Sequence, residues 1–409
     1  MSTAELKAKM KLICNIGQAL HEYGTSAHRL EAILSDLSKT LEIKGHFFST
    51  PTYLAISIDS VNTDGAYEQL HQHIRVTPGD VNLFKMQLID EVAIKIFNKE
   101  IAIIEAIHEI KRIRELTPRF SKPLMILAFA LTSLALSVIF KGGAIETLLS
   151  FIFGTIVGFL ALLTLYSKKI SDLFEFISSF VVMICCYFIY NEFIIFNYQI
   201  VLICSLIVII PGLGLTIAMN ELATNNLVSG TARLMGALMT FFKIAFGILV
   251  ADEVGKIFYP AIKLIEATPL SDIYFFPALI TSCIAFTIIF RAHYKDFKWI
   301  LISGLITIGS LRLGGIFLSQ ILSIFLSAFI IGFLSNIISR LRNKPAAVTL
   351  LPGVIFIVPG SVGLKGINLI FQNDYIAGLS GGFQTMVLSI TIVAGLFLAS
   401  SIMPPRKGL

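Results

Sequence analysis

Charge is what this chain has least of. Only 14% of its 409 residues are Asp, Glu, Lys or Arg, whereas 56% are hydrophobic. A globular protein in water carries roughly 25% charged residues, so the sequence lacks the polar surface that a wholly soluble fold of this length needs. Cysteine is also sparse: Cys14, Cys185, Cys186, Cys204 and Cys283 show no metal-ligand spacing, and four of the five lie in apolar runs. They read as packing thiols, without a disulfide framework. There is no Gly-rich phosphate loop and no nucleophile elbow, and no metal or organic cofactor is indicated. Residues 1–11 are polar and charged, unlike a secretory signal, so the first apolar span is expected to serve as the membrane-targeting signal. The net charge of +6 is read as membrane orientation, with no nucleic-acid partner, because the basic residues cluster in loops at the ends of apolar runs.

The first 118 residues read as ordinary soluble protein. Leu6, Met10, Ile13, Gly17 and Leu20 recur at helical spacing. Gly24 ends that helix, and Thr25 or Ser26 caps a second one bearing Ala27, Leu30, Ile33, Leu34, Leu37 and Leu41 on one face. Strands are expected at 46–49, at 53–58, where Leu54, Ile56 and Ile58 alternate, and at 71–76. Thr77-Pro78-Gly79 is a turn, Asp80 a cap for a helix burying Met86, Ile89, Ala93 and Ile96, and residues 100–114 a last amphipathic helix. His71 and His73 share one side of a strand, without the further ligands of a metal site, and read as exposed strand polarity.

Beyond residue 118 ten spans are read, at 122–140, 145–166, 170–190, 198–217, 231–250, 273–290, 299–316, 318–338, 346–365 and 377–402. Each is long enough for about 30 Å of hydrocarbon. With the N-terminal domain in the cytoplasm beside Lys111, Arg112, Arg114 and Arg119, ten loop cations fall inside: Lys168, Lys169, Arg291, Lys295, Lys298, Arg340, Arg342, Lys344, Arg406 and Lys407. Three, Lys141, Lys256 and Lys263, fall outside, the asymmetry of the positive-inside rule. Asp172 and Glu175 are read as pairing with Lys168 or Lys169.

A shift of 148 residues superposes the two halves without a gap. Ile210-Pro211-Gly212 falls on Val358-Pro359-Gly360, Asn220 on Asn368, Asn225 on Asn373, Gly230 on Gly378, Gly247 on Gly395 and Ala251 on Ala399; upstream, Ser171 meets Ser319 and Ser179 meets Ser327. Five spans is an odd number, so the second copy enters the bilayer from the opposite side. The expected fold is a polytopic α-helical membrane protein of about ten spans, a five-plus-five inverted repeat preceded by a small soluble α+β domain. The expected divisions are 1–118, 119–251, an external loop at 252–272, and 273–409. Such repeats recur in secondary transporters, whose sites lie at discontinuous helices. In each unit the fourth span carries Pro-Gly, which removes a donor and loosens the helix. A short polar link follows, with Asn220, Glu221, Thr224, Asn225 and Asn226 in the first unit and Asn368, Gln372, Asn373 and Asp374 in the second; Pro352-Gly353 is an additional expected break. Arg312, inside a predicted span between Leu311 and Leu313, is a functional candidate because intramembrane charge is costly.

Several segments together resemble the threonine/serine exporter family. They are Asn15-Ile16-Gly17-Gln18-Ala19-Leu20, Gly24-Thr25-Ser26-Ala27-His28-Arg29-Leu30-Glu31, Ser49-Thr50-Pro51-Thr52, and residues 75–85 with Pro78-Gly79 and Asn82-Leu83. In the membrane halves they are residues 210–216 with Ser229-Gly230 and Arg233-Leu234, then Leu351-Pro352-Gly353 and Val358-Pro359-Gly360-Ser361. The resemblance covers nearly the whole chain and corresponds to a single-chain form with both membrane halves. It implies export of small hydroxy amino acids driven by the proton gradient. Some members divide the halves between two chains, and such a pair is associated with dicarboxylate export.

Three readings follow. In the first, a secondary exporter moves threonine or serine across a bacterial inner membrane, with N-terminal domain and C-terminus cytoplasmic. Half-helix N-termini near Pro211-Gly212 and Pro359-Gly360-Ser361 take the carboxylate, Asn220 and Asn368 orient polar groups, and Glu221 receives the ammonium or couples protons. In the second, the cargo is a dicarboxylate and Arg233, Arg312 and Lys365 bind it. In the third, the N-terminal domain is a membrane-anchored enzyme, although no complete catalytic constellation is present. The partners expected are a small-molecule substrate, protons and the lipid bilayer; assembly as a homo-oligomer stays open.

Overall fold

A computed structural model describes residues 3–61, 67–77, 79–371 and 374–405. Pro78, Gln372, Asn373, Arg406 and Lys407 therefore lie outside the described residues. The N-terminal module is two helices, α1 (Thr3–Glu22) and α2 (Ala27–Thr40), a three-stranded antiparallel sheet, β1 (Lys44–Thr50), β2 (Tyr53–Val61) and β3 (Tyr67–Arg75), and two more helices, α3 (Leu83–Phe97) and α4 (Ile103–Glu115). Gly24 separates α1 from α2 at φ +86, where Cβ is disfavoured. Leu54, Ile56 and Ile58 alternate inward from β2 onto Leu6, Leu30, Leu34 and Leu37, all buried. The expected cap at Asp80 is displaced to Asn82, whose Oδ1 accepts from Lys85 N at 3.0 Å. His71 and His73 are exposed on β3.

Twelve α-helices follow among the described residues: α5 (Lys122–Ile139), α6 (Ala144–Leu163), α7 (Lys168–Glu192), α8 (Tyr198–Leu206), α9 (Gly212–Ala223), α10 (Leu227–Phe258), α11 (Phe275–Ile289), α12 (Phe297–Phe317), α13 (Gln320–Arg342), α14 (Ala347–Val354), α15 (Gly360–Phe371) and α16 (Tyr375–Ile402). Eight segments among the described residues, built on α5, α6, α7, α10, α11, α12, α13 and α16, are long and apolar enough to cross a membrane. The runs at 198–217 and 346–365 are not continuous helices. Each is a helix pair broken before its Pro-Gly, because proline offers no amide and disfavours helical geometry in the residue preceding it. Both second members run past the expected ends, so Asn220, Glu221 and Asn368 stand on helices, not in links. Pro352 does not break α14, which ends only at Val354, two residues beyond it. α10 likewise continues through residues 252–258, expected as loop.

The boundaries keep the register of the sequence match. Gly212, the first residue of α9, is 148 positions before Gly360, the first of α15; Leu227 of α10 stands at the same interval from Tyr375 of α16. Small residues set the close packing in both halves. A Cβ on Gly247 of α10 would meet Ser179 Oγ and lie 2.6 Å from Phe176 O on α7, and one on Gly395 of α16 would lie 2.6 Å from Phe325 O on α13. Across the α7–α10 contact, Lys243 Nζ bonds Asp172 O at 3.0 Å and Glu175 at 3.4 Å. Lys243 thus takes the place expected for Lys168 or Lys169.

The N-terminal module is docked on both halves. Leu83 N and Phe84 N, first amides of α3, donate to Phe290 O and Arg291 O at the end of α11, at 3.0 and 3.3 Å. Two helix ends thereby satisfy each other's free backbone groups. Gly247→Leu is expected to force α7 and α10 apart at a cost of about 1–3 kcal/mol, typical of overpacking. A thermal unfolding midpoint in detergent several degrees below wild type would show it, whereas an unchanged midpoint would mean the contact yields freely.

Candidate functional site

The two breaks meet. A Cβ built on Gly212 would stand 3.2 Å from Gly360 Cα, and one built on Gly360 would stand 3.3 Å from Gly212 Cα and 2.8 Å from Ile210 Cγ2. Only glycine lets the backbones come this close. Pro211 and Pro359 immediately precede α9 and α15, so both helices begin at the crossing. α8 and α14 end a few residues before it. The crossing therefore collects two positive helix ends and two negative ones.

A cavity opens on each side of it. One, of about 380 Å³, lies against the N-terminal module; its walls include Thr25, His28, Leu213, Asn220, Leu351 and Asn336. The other, of about 750 Å³, lies on the far side, with Lys141, Gln199, Ile203, Glu266, Ser361 and Lys365 on its walls. The far cavity sits between α8 and α15, the near one between α14 and α9. Residues 148 apart occupy matching walls: Leu213 matches Ser361, Ile217 matches Lys365, and Leu351 matches Ile203. The near cavity is more apolar; the far one carries two exposed lysines, Lys141 and Lys365, with no ion-pair partner among the described residues.

The residues singled out by sequence divide accordingly. Pro211, Gly212, Pro359 and Gly360 form the crossing, Ser361 the far wall and Asn220 the near wall; Asn368 is half-buried on α15. Arg312 is elsewhere, on α12, with its guanidinium 3.4 Å from the centroid of the Phe275 ring. Glu221 is fully buried and holds four donors. Ala27 N at 2.9 Å and Arg233 Nη2 at 3.2 Å reach Oε1; Ser229 Oγ at 2.9 Å and Arg233 Nε at 3.1 Å reach Oε2. These fill the acceptor positions of a carboxylate. The clamp joins α9 and α10 to the first amide of α2. Sequence reading gave Thr25 and His28 no place at the site, since the polar residues that line the cavity with them come from α9 and α13, far along the chain. The sole trace was their position within an otherwise unexplained motif.

Among the described residues no group of three or more His, Cys, Asp or Glu is placed to hold a metal ion. Burial lowers the pKa of His28, with Arg29 adding to the effect and Glu221 opposing it. Burial also lowers that of His21; Arg233 acts in the same direction, and the Thr50 carbonyl, Glu22 and Glu221 oppose. The folded state thus disfavours protonated imidazole at both positions. The stability that depends on these neutral rings is at full strength above the ordinary histidine value of 6.5 and weakens as pH falls through it toward the lowered values. Hydrogen exchange of residues 24–40, corrected for intrinsic rates, should accelerate relative to α13 between about pH 7.5 and 5.5. Equal protection at both pH values would count against this linkage.

The family described as "Putative threonine/serine exporter" matches residues 11–254, and that described as "Threonine/Serine exporter, ThrE" matches residues 275–402. An uncharacterized protein of Schizosaccharomyces pombe is 26% identical over 99% of this chain and 57% of its own length. Pheromone-regulated membrane protein 10 of Candida albicans is 27% identical over 99% of this chain and 39% of its own. Its Saccharomyces cerevisiae namesake is 26% identical over 98% and 55%. The chain therefore spans about two-fifths to three-fifths of the length of these curated relatives. No solved structure matches it significantly. With the family matches spanning both membrane halves and most of the N-terminal module, the chain belongs to the threonine/serine exporter family of membrane proteins.

Proposed function

We propose that the protein is a secondary active exporter of threonine and serine, coupled to protons, which exposes a central site alternately through the two cavities. In this reading the membrane region is an inverted repeat of two five-span units, two of the ten spans being the broken pairs α8–α9 and α14–α15, and the N-terminal module is cytoplasmic. The observation that carries it is the meeting of Gly212 with Gly360 between two cavities whose walls match at 148 residues. Duplicated halves with opposite insertion give two similar half-pathways, and relative motion about the crossing opens one while closing the other.

The polarity of the crossing suits a zwitterion. A carboxylate is favoured at the beginnings of α9 and α15, and an ammonium at the carbonyl ends of α8 and α14. Ser361 and Lys365 line the way out. A dicarboxylate needs two cationic contacts. Arg233 is engaged by Glu221, Arg312 by Phe275 and Arg29 by Asp90; Lys141 and Lys365 remain, both on the far cavity, so the near cavity offers a dicarboxylate no unengaged cation among the described residues, which favours the amino acid. Glu221 is the proposed proton-coupling group, because a proton on either oxygen must displace one of four donors, the Ala27 amide of α2 among them.

Proteoliposomes preloaded with labelled threonine, serine or succinate test the proposal. Efflux of threonine or serine, accelerated by an imposed proton gradient and without succinate movement, is the expected result. Succinate efflux alone would replace the substrate assignment. In the same assay Glu221→Gln should retain exchange but lose most of the acceleration by the gradient; gradient-driven efflux at the wild-type rate would remove Glu221 from the coupling mechanism.

A further inference from the structure

The motif from Gly24 to Glu31 turns back on itself between the N-terminal module and the membrane helices. Most of its positions have a local explanation. Gly24 packs on Val81 in a left-handed conformation. Ala27 N donates to Glu221, Leu30 is buried in the module's core, and Glu31 Oε1 accepts from Ser49 N at 2.7 Å. Arg29 is half-buried on the cavity wall, with Asp90 as its counter-charge. Two polar atoms are left over. Thr25 Oγ1 and His28 Nδ1 are buried without a hydrogen-bond partner, although buried polar groups are almost always paired. Thr25 is 7% exposed, and both residues line the near cavity.

The opposite wall carries complementary groups. Asn220 of α9 presents an amide with no partner among the described residues, and Asn336 of α13 spends its Nδ2 on Met403 O, leaving its oxygen as an acceptor. The remaining surface is largely aliphatic, from Leu213, Leu350, Leu351 and Val354. A cavity of about 380 Å³ with a few converging polar groups on apolar walls fits a small amphiphilic metabolite.

We propose that this cavity is the inward-facing substrate subsite, and that the N-terminal module forms part of it: Thr25 and His28 recognise the side-chain hydroxyl of a hydroxy amino acid. The inference rests on the exporter reading above. A hydroxyl both donates and accepts, so it satisfies the Thr25 hydroxyl and one ring nitrogen together. The ammonium falls to the oxygens of Asn220 and Asn336. The bond from Ala27 N to Glu221 fixes the start of α2 over the cavity, so the module is a wall of the pathway as well as an appendage to it.

The test is equilibrium binding of labelled threonine to the purified full-length protein, with 2-aminobutyrate, which lacks the hydroxyl, as competitor. Wild type should prefer threonine. Thr25→Val and His28→Phe should each reduce that preference by at least about tenfold, with little change toward 2-aminobutyrate, and Thr25→Ser should keep it. Ala32→Phe, substituted on an exposed position of α2 that lines the cavity, should fill the space and weaken binding of both ligands by at least about tenfold. Wild-type preference in both Thr25→Val and His28→Phe would overturn the proposal. So would undiminished binding by Ala32→Phe, which decides the matter should the other variants fail to fold. If wild type itself binds no hydroxy amino acid, the exporter reading fails first, and that outcome is separate from the failure of the subsite.

Discussion

An interrupted helix in an apolar environment needs something to cover its loose backbone ends, and that requirement organises the whole membrane region. Lipid supplies neither donors nor acceptors, so a break is stable only against protein or a water-filled cavity. Here each break covers the other. Gly212 and Gly360 permit backbone-to-backbone approach, and α9 and α15 leave the crossing to pack on α16 and α10. The long helices α7, α10, α13 and α16 surround this centre, with large apolar side chains such as Met239, Phe246, Phe383 and Ile390 turned outward.

The two halves differ where their surroundings differ. Glu221, Ser229 and Arg233 form one buried clamp, yet the residues 148 positions on are Leu369, Ala377 and Gly381. A charge cluster is stable where four donors converge on one carboxylate, and the amide completing it belongs to α2, present on one face only. Conversely, Lys365 faces the wide far cavity where its counterpart Ile217 faces the narrow near one. The helix starts share the 148-residue register while the side chains at equivalent positions differ with their surroundings. The two cavities are unlike in polarity.

Much of the architecture was legible in residue order alone. Long apolar runs gave the long helices because a helix in lipid needs no further pattern, and Leu54, Ile56 and Ile58 announced a one-sided strand. Pro211-Gly212 and Pro359-Gly360 marked the breaks through local chemistry. Several misreadings share one cause: a partner outside the local sequence window. Asn220 and Glu221 looked like loop polarity, but the clamp on Glu221 makes a helical position for it favourable. Asp80 and Asn82 are equally good caps by residue type; the choice follows from α3 delivering its first amides to Phe290 and Arg291. Glu175 had lysines nearby in sequence, yet Lys243 reaches it across the packed glycine of α10. No local rule specifies that Arg312 lies along Phe275, or that Thr25, His28 and Asn220 line one cavity.

The docking of α3 on α11 has a mechanical consequence. On the near face the N-terminal module grips the first half through Ala27 and Glu221 and the second through Leu83, Phe84 and the end of α11. On the far face the chain from Tyr259 to Ser271 joins the halves covalently, tethered where Leu270 N meets Gly142 O and Asn197 Nδ2 meets Ile265 O. The crossing is laced top and bottom. Prising the halves apart must work against both lacings at once, so the broken backbone at Gly212 and Gly360 is held closed by segments that are not part of the crossing.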